Sequence, residues 1–186
     1  MKRIFDLILA IFSFLIFLIP LLFIAVLVIL TSKGPALYWS DRIGKDGKIF
    51  KMPKFRSMLI DTPPVATHLL SNPDIHFSPI GSFLRRTSLD ELPQLFSILK
   101  GDMSFVGPRP ALFNQADLIA LRAEKGIDKL LPGITGWAQV NGRDNLSIPE
   151  KVSLDTEYLK RQTFWFDIRI LWMTLLKVLY RDGVSH

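Results

Sequence analysis

The sequence predicts an α-rich α+β fold, with an apolar membrane segment at the N-terminus and one small domain after it. Three observations predict this architecture: a long apolar run near the N-terminus, helical periodicity over most of the remainder, and one short region that alternates like a β-hairpin. The chain has 186 residues, which is room for one hydrophobic core. We therefore divide it into a membrane segment, residues 1–32, and a domain at the membrane surface, residues 33–186.

The composition indicates an anionic partner. The formal net charge is +6, which suits a phospholipid surface, nucleic acid or a phosphorylated substrate. The cations are dispersed among apolar helices and form no single stripe, so no nucleic-acid partner is expected. The chain contains no cysteine, which excludes disulfides, thiolate metal sites and cysteine nucleophiles.

The apolar run covers residues 7–30 and is interrupted only by Ser13 and Pro20. As a straight helix it is about 36 Å long, enough to cross a hydrocarbon core of about 30 Å. The run exceeds the apolar core of a signal peptide and lacks a small-residue cleavage site, which argues against such a peptide. A single transmembrane helix is the simplest interpretation.

A re-entrant helical hairpin is the alternative. Pro20 lies near the middle of the run, where proline removes a backbone hydrogen bond and kinks a helix. Positive residues flank both ends of the run, namely Lys2, Arg3, Lys33, Arg42, Lys45 and Lys48. The positive-inside rule places both flanks in the cytoplasm, which a straight span cannot satisfy. The residues alone leave both topologies open.

The domain begins with a predicted β-hairpin between Tyr38 and Phe55. Short apolar stretches alternate there around a turn at residues 42–48, in which Asp46-Gly47 supports positive φ. Residues 61–79 are polar and contain four prolines, so we expect a surface loop that acts as a mobile lid.

Helical spacing dominates the rest of the chain. Helices are predicted over residues 89–99, 111–130, 149–161 and 164–181, with a glycine-rich loop over residues 131–145. In the first of these helices, the predicted apolar side comprises Leu92, Leu95, Phe96 and Leu99. The last helix is amphipathic, with aromatic residues beside cations. This pattern suits a helix in the lipid headgroup layer and equally a helix facing the core.

Histidine and serine chemistry is not indicated. His68 and His76 lie in the proline-rich loop and His186 is the last residue, so they form no ligand cluster. No serine lies in a nucleophile elbow, and no P-loop glycine pattern occurs.

Two adjacent acids, Asp90 and Glu91, open the helix predicted over residues 89–99. One interpretation is ordinary helix-start chemistry, because Ser88 and Glu91 have capping-box spacing and acids there offset the helix dipole. The other interpretation is a functional carboxylate pair. The acids alone leave both open.

The neighbouring segments favour a phosphate-handling site. Arg85 and Arg86 precede the acids, and Arg109 lies between two prolines that fix its backbone. Residues 133–143 add glycines and amide side chains. Acids for a metal or a nucleophile, together with arginines for phosphate oxygens, are the groups that phosphoryl transfer requires.

Four motifs make the sequence similar to a known family. They are residues 51–58 (KMPKFRSM), 88–96 (SLDELPQLF), 99–110 (LKGDMSFVGPRP) and 131–143 (LPGITGWAQVNGR). In this order, over nearly the whole chain, they resemble the minimal catalytic form of the bacterial sugar transferase family, the monotopic phosphoglycosyl transferases that begin bacterial glycan assembly. The resemblance implies a re-entrant membrane helix over residues 1–32 with both ends cytoplasmic. Ile19 precedes Pro20 where family members often have serine.

The resemblance implies a two-step mechanism. Asp90 is the expected nucleophile on the β-phosphorus of a UDP-sugar, and its attack releases UMP and leaves a phosphosugar on the enzyme. A polyprenyl phosphate, such as undecaprenyl phosphate, then accepts that group. Glu91 together with Asp90 is expected to hold Mg²⁺. A helix N-terminus and Arg85 are expected to depress the pKa of Asp90 and keep it ionised.

The resemblance also implies substrate-binding residues. Arg109 is the expected phosphate anchor, with Lys54 and Arg85 as helpers. The expected pocket lining is Gln139, Asn141 and Arg143, and the remaining helpers are Asp155 and Asp167. For these last two acids, a helix-surface ion pair with Lys151 or Arg169 is an equally open interpretation.

These expectations place the protein at the cytoplasmic face of a bacterial inner membrane, with phospholipid as a partner and a homodimer as one assembly state. Two other function classes remain open. A membrane-anchored binding protein without catalysis predicts that Asp90→Asn leaves function intact. A metal-dependent phosphatase acting on a prenyl diphosphate predicts release of inorganic phosphate without any nucleotide.

Overall fold

The computed structural model describes residues 1–63, 72–142 and 145–180. Within them the elements are, in order, α1 (Lys2–Thr31), β1 (Leu37–Ile43), β2 (Ile49–Phe55), α2 (Gly81–Arg86), α3 (Leu95–Lys100), β3 (Ser104–Val106), α4 (Ala116–Glu124), β4 (Gly133–Thr135), α5 (Trp137–Val140), α6 (Ile148–Arg161) and α7 (Phe164–Tyr180). Short 3₁₀ segments are Lys45–Gly47, Pro73–His76, Leu89–Gln94 and Ile127–Lys129. The predicted helix-rich fold with small β elements is confirmed.

Among the described residues, α1 is the one helix long and apolar enough to cross a membrane. Pro20 lies inside it. Exposed apolar side chains occupy its middle, among them Phe12, Leu15, Ile16, Ile19, Leu22 and Phe23. Because no core covers these side chains, hydrocarbon is a suitable environment for them. The re-entrant hairpin stays a prediction.

Both ends of α1 pack against the domain. At the N-terminal end, Arg3 donates to the carbonyl of Ile98 at 2.6 Å, near the end of α3. At the C-terminal end, Val28 is fully buried in a cluster with Phe55 of β2 and Leu84 of α2. The two ends of the membrane helix therefore contact the same body of protein.

The predicted β-hairpin is confirmed. Strands β1 and β2 pair antiparallel along their whole length. Asp46 (φ 57°) and Gly47 (φ 71°) have the left-handed backbone that the turn requires. Near the end of β2, Lys54 reaches across to the 3₁₀ segment Leu89–Gln94.

The helix predicted over residues 89–99 differs in its first half. Leu89–Gln94 is a 3₁₀ segment with Pro93 inside, and the α-helical part is α3. A 3₁₀ segment has about three residues per turn, so the side chains that follow it point to a different side than they would in an uninterrupted α-helix. Ile98 is fully buried, whereas Phe96, predicted on the apolar side, is 53% exposed.

The helix predicted over residues 111–130 is shorter in the structure, because α4 covers only Ala116–Glu124. Residue 111, where the predicted helix began, is instead held against the hairpin, because the amide of Ile43 donates to the carbonyl of Ala111 at 3.0 Å. At the end of α4, Gly126 takes a left-handed conformation (φ 72°) that stops the helix.

The loop predicted over residues 131–145 contains regular structure in its described part. Strand β4 pairs in parallel with β3, and the short helix α5 follows it. A strand of three residues is too short to produce a detectable alternation, so the sequence pattern missed it.

The two C-terminal helices agree with the prediction. Helix α6 has Pro149 in its first turn. Helix α7 buries Phe166 and Ile170 and exposes Trp165 and Trp172. The core-facing interpretation is confirmed for one side of α7, and membrane contact by its aromatic side stays a prediction.

Candidate active site

The two predicted acids lie in the 3₁₀ segment Leu89–Gln94, directly after Ser88. Ser88 adopts the left-handed region (φ 55°), and within the described residues its side chain makes no capping hydrogen bond. The capping box suggested by the spacing of Ser88 and Glu91 is therefore wrong. The Glu91 carboxylate pairs with cations from two other elements.

Glu91 is held between two cations. Lys54 Nζ, from β2, donates to Glu91 Oε1 at 2.7 Å, and Arg109 Nη2 donates to the same oxygen at 3.1 Å. The side chains of Glu91 and Lys54 are 11% and 14% exposed, so water screens their attraction little. The expected helper and the expected phosphate anchor thus meet on one acid.

Asp90, the expected nucleophile, is buried, with 6% of its surface exposed. Burial raises the pKa of its carboxyl above the ordinary value of 3.8; Lys54 opposes this shift, Glu91 adds to it, and Arg85 opposes it. The expectation of a depressed pKa is therefore wrong, because desolvation outweighs the neighbouring cations. A further cation at the site, such as a metal ion, would lower the pKa of Asp90 again.

Burial also affects two cations of the cluster. Desolvation lowers the pKa of Lys54, although Glu91 and Asp90 oppose this. Burial and the nearby charge of Arg109 lower the pKa of Arg42 to about 10. Sequence reasoning missed Arg42 as a site residue, because its place at the end of β1 indicated only a turn.

Arg109 is positioned by the contact between β3 and β4. Gly107 and Gly133 approach so closely that a Cβ on Gly133 would lie 2.1 Å from the amide nitrogen of Gly107. The amide of Gly133 donates to the carbonyl of Pro108 at 2.9 Å. These glycines bring the third and fourth sequence motifs together beside Glu91.

A cleft of about 920 Å³ opens beside Glu91, whereas the buried Asp90 is not part of its described lining. Its lining includes Glu91 and Arg109 and two of the predicted pocket residues, Gln139 and Asn141. Lining residues that were not predicted include Ser13, Phe17, Thr174, Lys177 and Val178. These come from α1 and α7, which are far apart in sequence, so no local pattern could have linked them. The cleft therefore extends from Glu91 to the membrane helix.

Arg85 and Arg143 complete the predicted set. The Arg85 guanidinium lies 5.5 Å from the ring centroid of Phe77 and donates from Nη1 to the sulfur of Met58 at 3.3 Å. Its positive charge opposes the rise in the pKa of Asp90 that burial causes. Arg143 and residues 64–71 of the predicted lid lie outside the described residues, so the lid stays a prediction.

Asp155, expected as a substrate helper, lies in a buried ion pair away from the described lining of the cleft. Arg122 donates to Asp155 Oδ2 through Nε at 3.0 Å and through Nη2 at 2.6 Å. Burial raises the pKa of the Asp155 carboxyl, and Arg122 opposes that shift. The alternative of a surface pair with Lys151 is wrong, because Asp155 is buried and pairs with Arg122. A substrate role for Asp155 stays a prediction.

Asp167 is likewise buried and away from the described lining of the cleft. Lys2, at the start of α1, donates to Asp167 at 2.5 Å, and the Tyr158 hydroxyl donates to it at 2.7 Å. The cation bonded to Asp167 is thus Lys2, where a surface pair with Arg169 was the predicted alternative. This pair ties the N-terminal end of the membrane helix to α7.

The residues expected to hold magnesium are Asp90 and Glu91. Mg²⁺ usually takes one or two carboxylates and completes its shell with water and substrate phosphates, and Asp90 and Glu91 offer two adjacent carboxylates. Across the part of the chain that the structure describes, no cluster of three or more histidine, cysteine or acidic side chains could form a closed metal cage. A magnesium ion at Asp90 and Glu91 stays a prediction.

Comparison with known proteins gives consistent matches. The family model described as "Bacterial sugar transferase" matches residues 1–181. The chain is 39% identical to the undecaprenyl-phosphate galactose phosphotransferase of Salmonella typhimurium, covering 98% of this chain and 41% of that protein. It is 42% identical to the UDP-glucose:undecaprenyl-phosphate glucose-1-phosphate transferase of Escherichia coli, covering 95% of this chain and 40% of that protein. It is 40% identical to the uncharacterized sugar transferase EpsL of Bacillus subtilis, covering 100% of this chain and 91% of that protein. The chain thus spans about two fifths of the length of the first two relatives and most of the third.

Proposed function

The chain belongs to the bacterial sugar transferase family, and on that premise we propose that it transfers a sugar 1-phosphate from a UDP-sugar to a polyprenyl phosphate. The products are a polyprenyl diphosphate-sugar and UMP. The observation that carries the proposal is Glu91, bonded by Lys54 and Arg109 at the edge of a cleft that reaches the membrane helix, with Asp90 buried next to it in the chain. Carboxylates surrounded by fixed cations are suited to phosphoryl transfer.

In the first proposed step, a carboxylate oxygen of Asp90 attacks the β-phosphorus of the donor. The bond from that phosphorus to the bridging oxygen of UMP breaks, UMP leaves, and an acyl phosphosugar forms on Asp90. Lys54 and Arg109 neutralise charge on the phosphate oxygens, and their contacts with Glu91 hold them in place beforehand. Preorganised cations lower the barrier because they need no rearrangement during the reaction.

In the second proposed step, a phosphate oxygen of the polyprenyl phosphate attacks the phosphorus of the acyl phosphosugar. The bond to Asp90 breaks, and the carboxylate is regenerated. Two displacements at phosphorus, with the Asp90 carboxylate first as nucleophile and then as leaving group, replace a direct reaction between two anionic substrates. Glu91 and Asp90 would hold Mg²⁺, which when bound neutralises the donor diphosphate.

The membrane arrangement belongs to the same proposal: residues 1–32 form a re-entrant segment and residues 33–186 form the domain on the cytoplasmic face of the inner membrane. Arg3 and Val28 support this topology, because both ends of α1 contact one domain and a domain lies on one side of a bilayer. The positive residues at both ends agree with a cytoplasmic location. A homodimer stays a prediction.

The cleft offers a route for the lipid acceptor. Phe17 of α1 and Val178 of α7 line it, and both helices carry exposed apolar side chains beside this opening. Lys177 provides a cation at the same edge. A phosphate on an apolar chain matches this combination, so we place acceptor entry between α1 and α7.

Turnover in nanodiscs tests the proposed function. Purified protein would be given Mg²⁺, undecaprenyl phosphate and each of a panel of UDP-sugars, and UMP and the lipid product would be quantified. We expect UMP and lipid diphosphate-sugar in equal amounts for at least one donor. Release of inorganic phosphate from a prenyl diphosphate without nucleotide would replace the proposal with a phosphatase. Lipid or nucleotide binding without any turnover across the panel would replace it with a binding protein.

A further inference from the structure

Arg122 of α4 links the interior of the domain to the backbone of Arg109. Its Nε and Nη2 donate to one carboxylate oxygen of Asp155, and its Nη1 donates to the carbonyl oxygen of Arg109 at 2.7 Å. The side chains of Arg122 and Asp155 are 11% and 1% exposed. The guanidinium is therefore fixed by a buried acid through Nε and Nη2, and its Nη1 is directed at the loop that carries Arg109.

The loop around Arg109, residues 108–111, is fixed by hydrogen bonds from other parts of the domain. Consecutive carbonyls accept hydrogen bonds as follows: Pro108 from the Gly133 amide (2.9 Å), Arg109 from Arg122 Nη1 (2.7 Å), Pro110 from Arg42 Nη1 (3.1 Å) and Ala111 from the Ile43 amide (3.0 Å). At the two middle carbonyls the donor is an arginine side chain. The loop is therefore fixed by contacts with the hairpin, with β4 and with α4.

Proline explains why donors from elsewhere are needed. Pro108 and Pro110 restrict φ around Arg109, but they carry no N–H and cannot donate the backbone hydrogen bonds that usually fix a loop. An arginine is suited to this task because its planar fork can bind a carboxylate and a carbonyl at once. Lysine carries the same charge but does not present this planar fork.

We propose that Arg122, oriented by Asp155, is a positioning residue that fixes the Arg109 backbone so that the Arg109 guanidinium meets Glu91 and a substrate phosphate. This inference rests on the proposed function, in which Arg109 anchors the donor diphosphate. It gives Asp155 a role one step removed from the substrate, in place of the direct contact expected from the sequence.

A double-mutant cycle on nucleotide affinity tests the proposal. UDP with Mg²⁺ serves as the probe, titrated calorimetrically into nanodisc-held protein, and the variants are Arg122→Gln, Arg109→Ala and the two combined. We expect Arg122→Gln to weaken UDP affinity about tenfold, since small displacements of an anchoring group have effects of this size or larger. In the Arg109→Ala background the same change should have no further effect, because Arg122 acts through Arg109.

Two controls separate positioning from stability. Val152→Ala removes apolar packing at the same contact between α4 and α6, where Val152 is clustered with Leu118, and should lower thermal stability while leaving UDP affinity unchanged. The pair Arg122→Met with Asp155→Leu replaces the buried ion pair by apolar side chains, which folded proteins often tolerate. This variant should remain folded and still lose about tenfold in UDP affinity. Arg122→Lys should recover only part of the lost affinity.

The outcomes are distinct from those of the turnover experiment. Equal UDP affinity in wild type and Arg122→Gln would overturn the positioning role, as would a loss that adds fully to that of Arg109→Ala. A loss of affinity in Val152→Ala as large as in Arg122→Gln would also overturn it. Failure of the proposed reaction appears separately, as absent UMP release in a protein whose UDP affinity still depends on Arg122.

Discussion

Two regions of this protein carry the same four-residue pattern, a serine followed three positions later by glutamate. At Ser147 and Glu150 the pattern forms a complete capping box: the Ser147 amide donates to Glu150 at 2.7 Å, and the Glu150 amide donates back to the serine oxygen at 3.4 Å. At Ser88 and Glu91 it forms none, and Ser88 is left-handed. One spacing therefore has two outcomes in one chain.

The difference shows that tertiary contacts determine whether a serine–glutamate spacing forms a capping box. Glu150 is exposed and meets no cation in the contacts described for it, so the helix start is its best partner. Glu91 is mostly buried at the cleft beside Lys54 and Arg109, and pairing with these cations offsets its desolvation. An acid that pairs with cations distant in sequence, although its spacing allows a local capping box, is a candidate functional residue.

The largest expected effect in this comparison comes from neutralising Glu91, and the same substitution at Glu150 is its control. Glu91→Gln should slow UMP release about 100-fold or more, the scale on which a preorganised electrostatic group contributes. Glu150→Gln, the matched change at the other serine–glutamate pair, should leave the rate unchanged. Initial rates at saturating Mg²⁺ and donor would measure both. Similar rate losses in the two variants would remove the distinction between the regions.

The pH dependence of the first step should follow the buried acid. The pKa of Asp90 is raised above 3.8 by burial. Because only the ionised carboxylate is nucleophilic, the rate at a fixed Mg²⁺ concentration should fall as pH decreases through the pKa of Asp90. Lys54 opposes the rise, so Lys54→Met should shift the acid limb of the rate profile to still higher pH. An acid limb that stays in place or moves down in Lys54→Met would contradict this account of the electrostatics.

Removing the serine hydroxyls should affect stability at only one of the two positions. Ser147→Ala breaks a capping box and should destabilise the fold by about 1 kcal/mol, without changing the rate of UMP release. Ser88→Ala removes a side chain that caps no helix in the described residues, and it should leave stability nearly unchanged. Thermal unfolding in nanodiscs measures both variants. A larger loss for Ser88→Ala would mean that its hydroxyl has a stabilising role.

The smallest expected effect is a gain at Ser88. A left-handed residue with a Cβ costs roughly 1–2 kcal/mol, and glycine avoids this but loses about 0.5–1 kcal/mol in chain entropy. Ser88→Gly should therefore stabilise the fold by about 0.5 kcal/mol. Ser147→Gly, at an extended cap position, should give no such gain. A destabilised Ser88→Gly would indicate that the side chain, not the backbone, holds this turn.

The sequence predicted the features that are local or carried by long motifs. The hairpin at Asp46-Gly47, the start of α6 and the apolar length of α1 follow from residue type and spacing, and the structure agrees with each. The grouping of Glu91 with Lys54 and Arg109 was also expected, because the motifs of the family contain all of them.

Features that depend on tertiary contact were not predictable in this way. The pKa of Asp90 was expected to be low because its sequence neighbours are favourable, but burial by distant elements reverses the direction. The pairing of Asp155 with Arg122 was not expected, because Arg122 lies on another helix and no spacing in the sequence links the two. The contribution of Phe17 to the cleft depends on how α1 packs, which its uniform apolar composition does not specify.

The central claim, that Asp90 is the nucleophile, is tested most directly by intact-protein mass in nanodiscs with Mg²⁺ and a panel of UDP-sugars, before any lipid acceptor is added. The account predicts a covalent phosphosugar adduct in the wild type with equimolar UMP, no adduct in Asp90→Asn, and loss of the adduct when undecaprenyl phosphate is supplied. UMP release that requires the acceptor to be present, with no adduct at any time, would contradict it, as would an adduct that persists in Asp90→Asn.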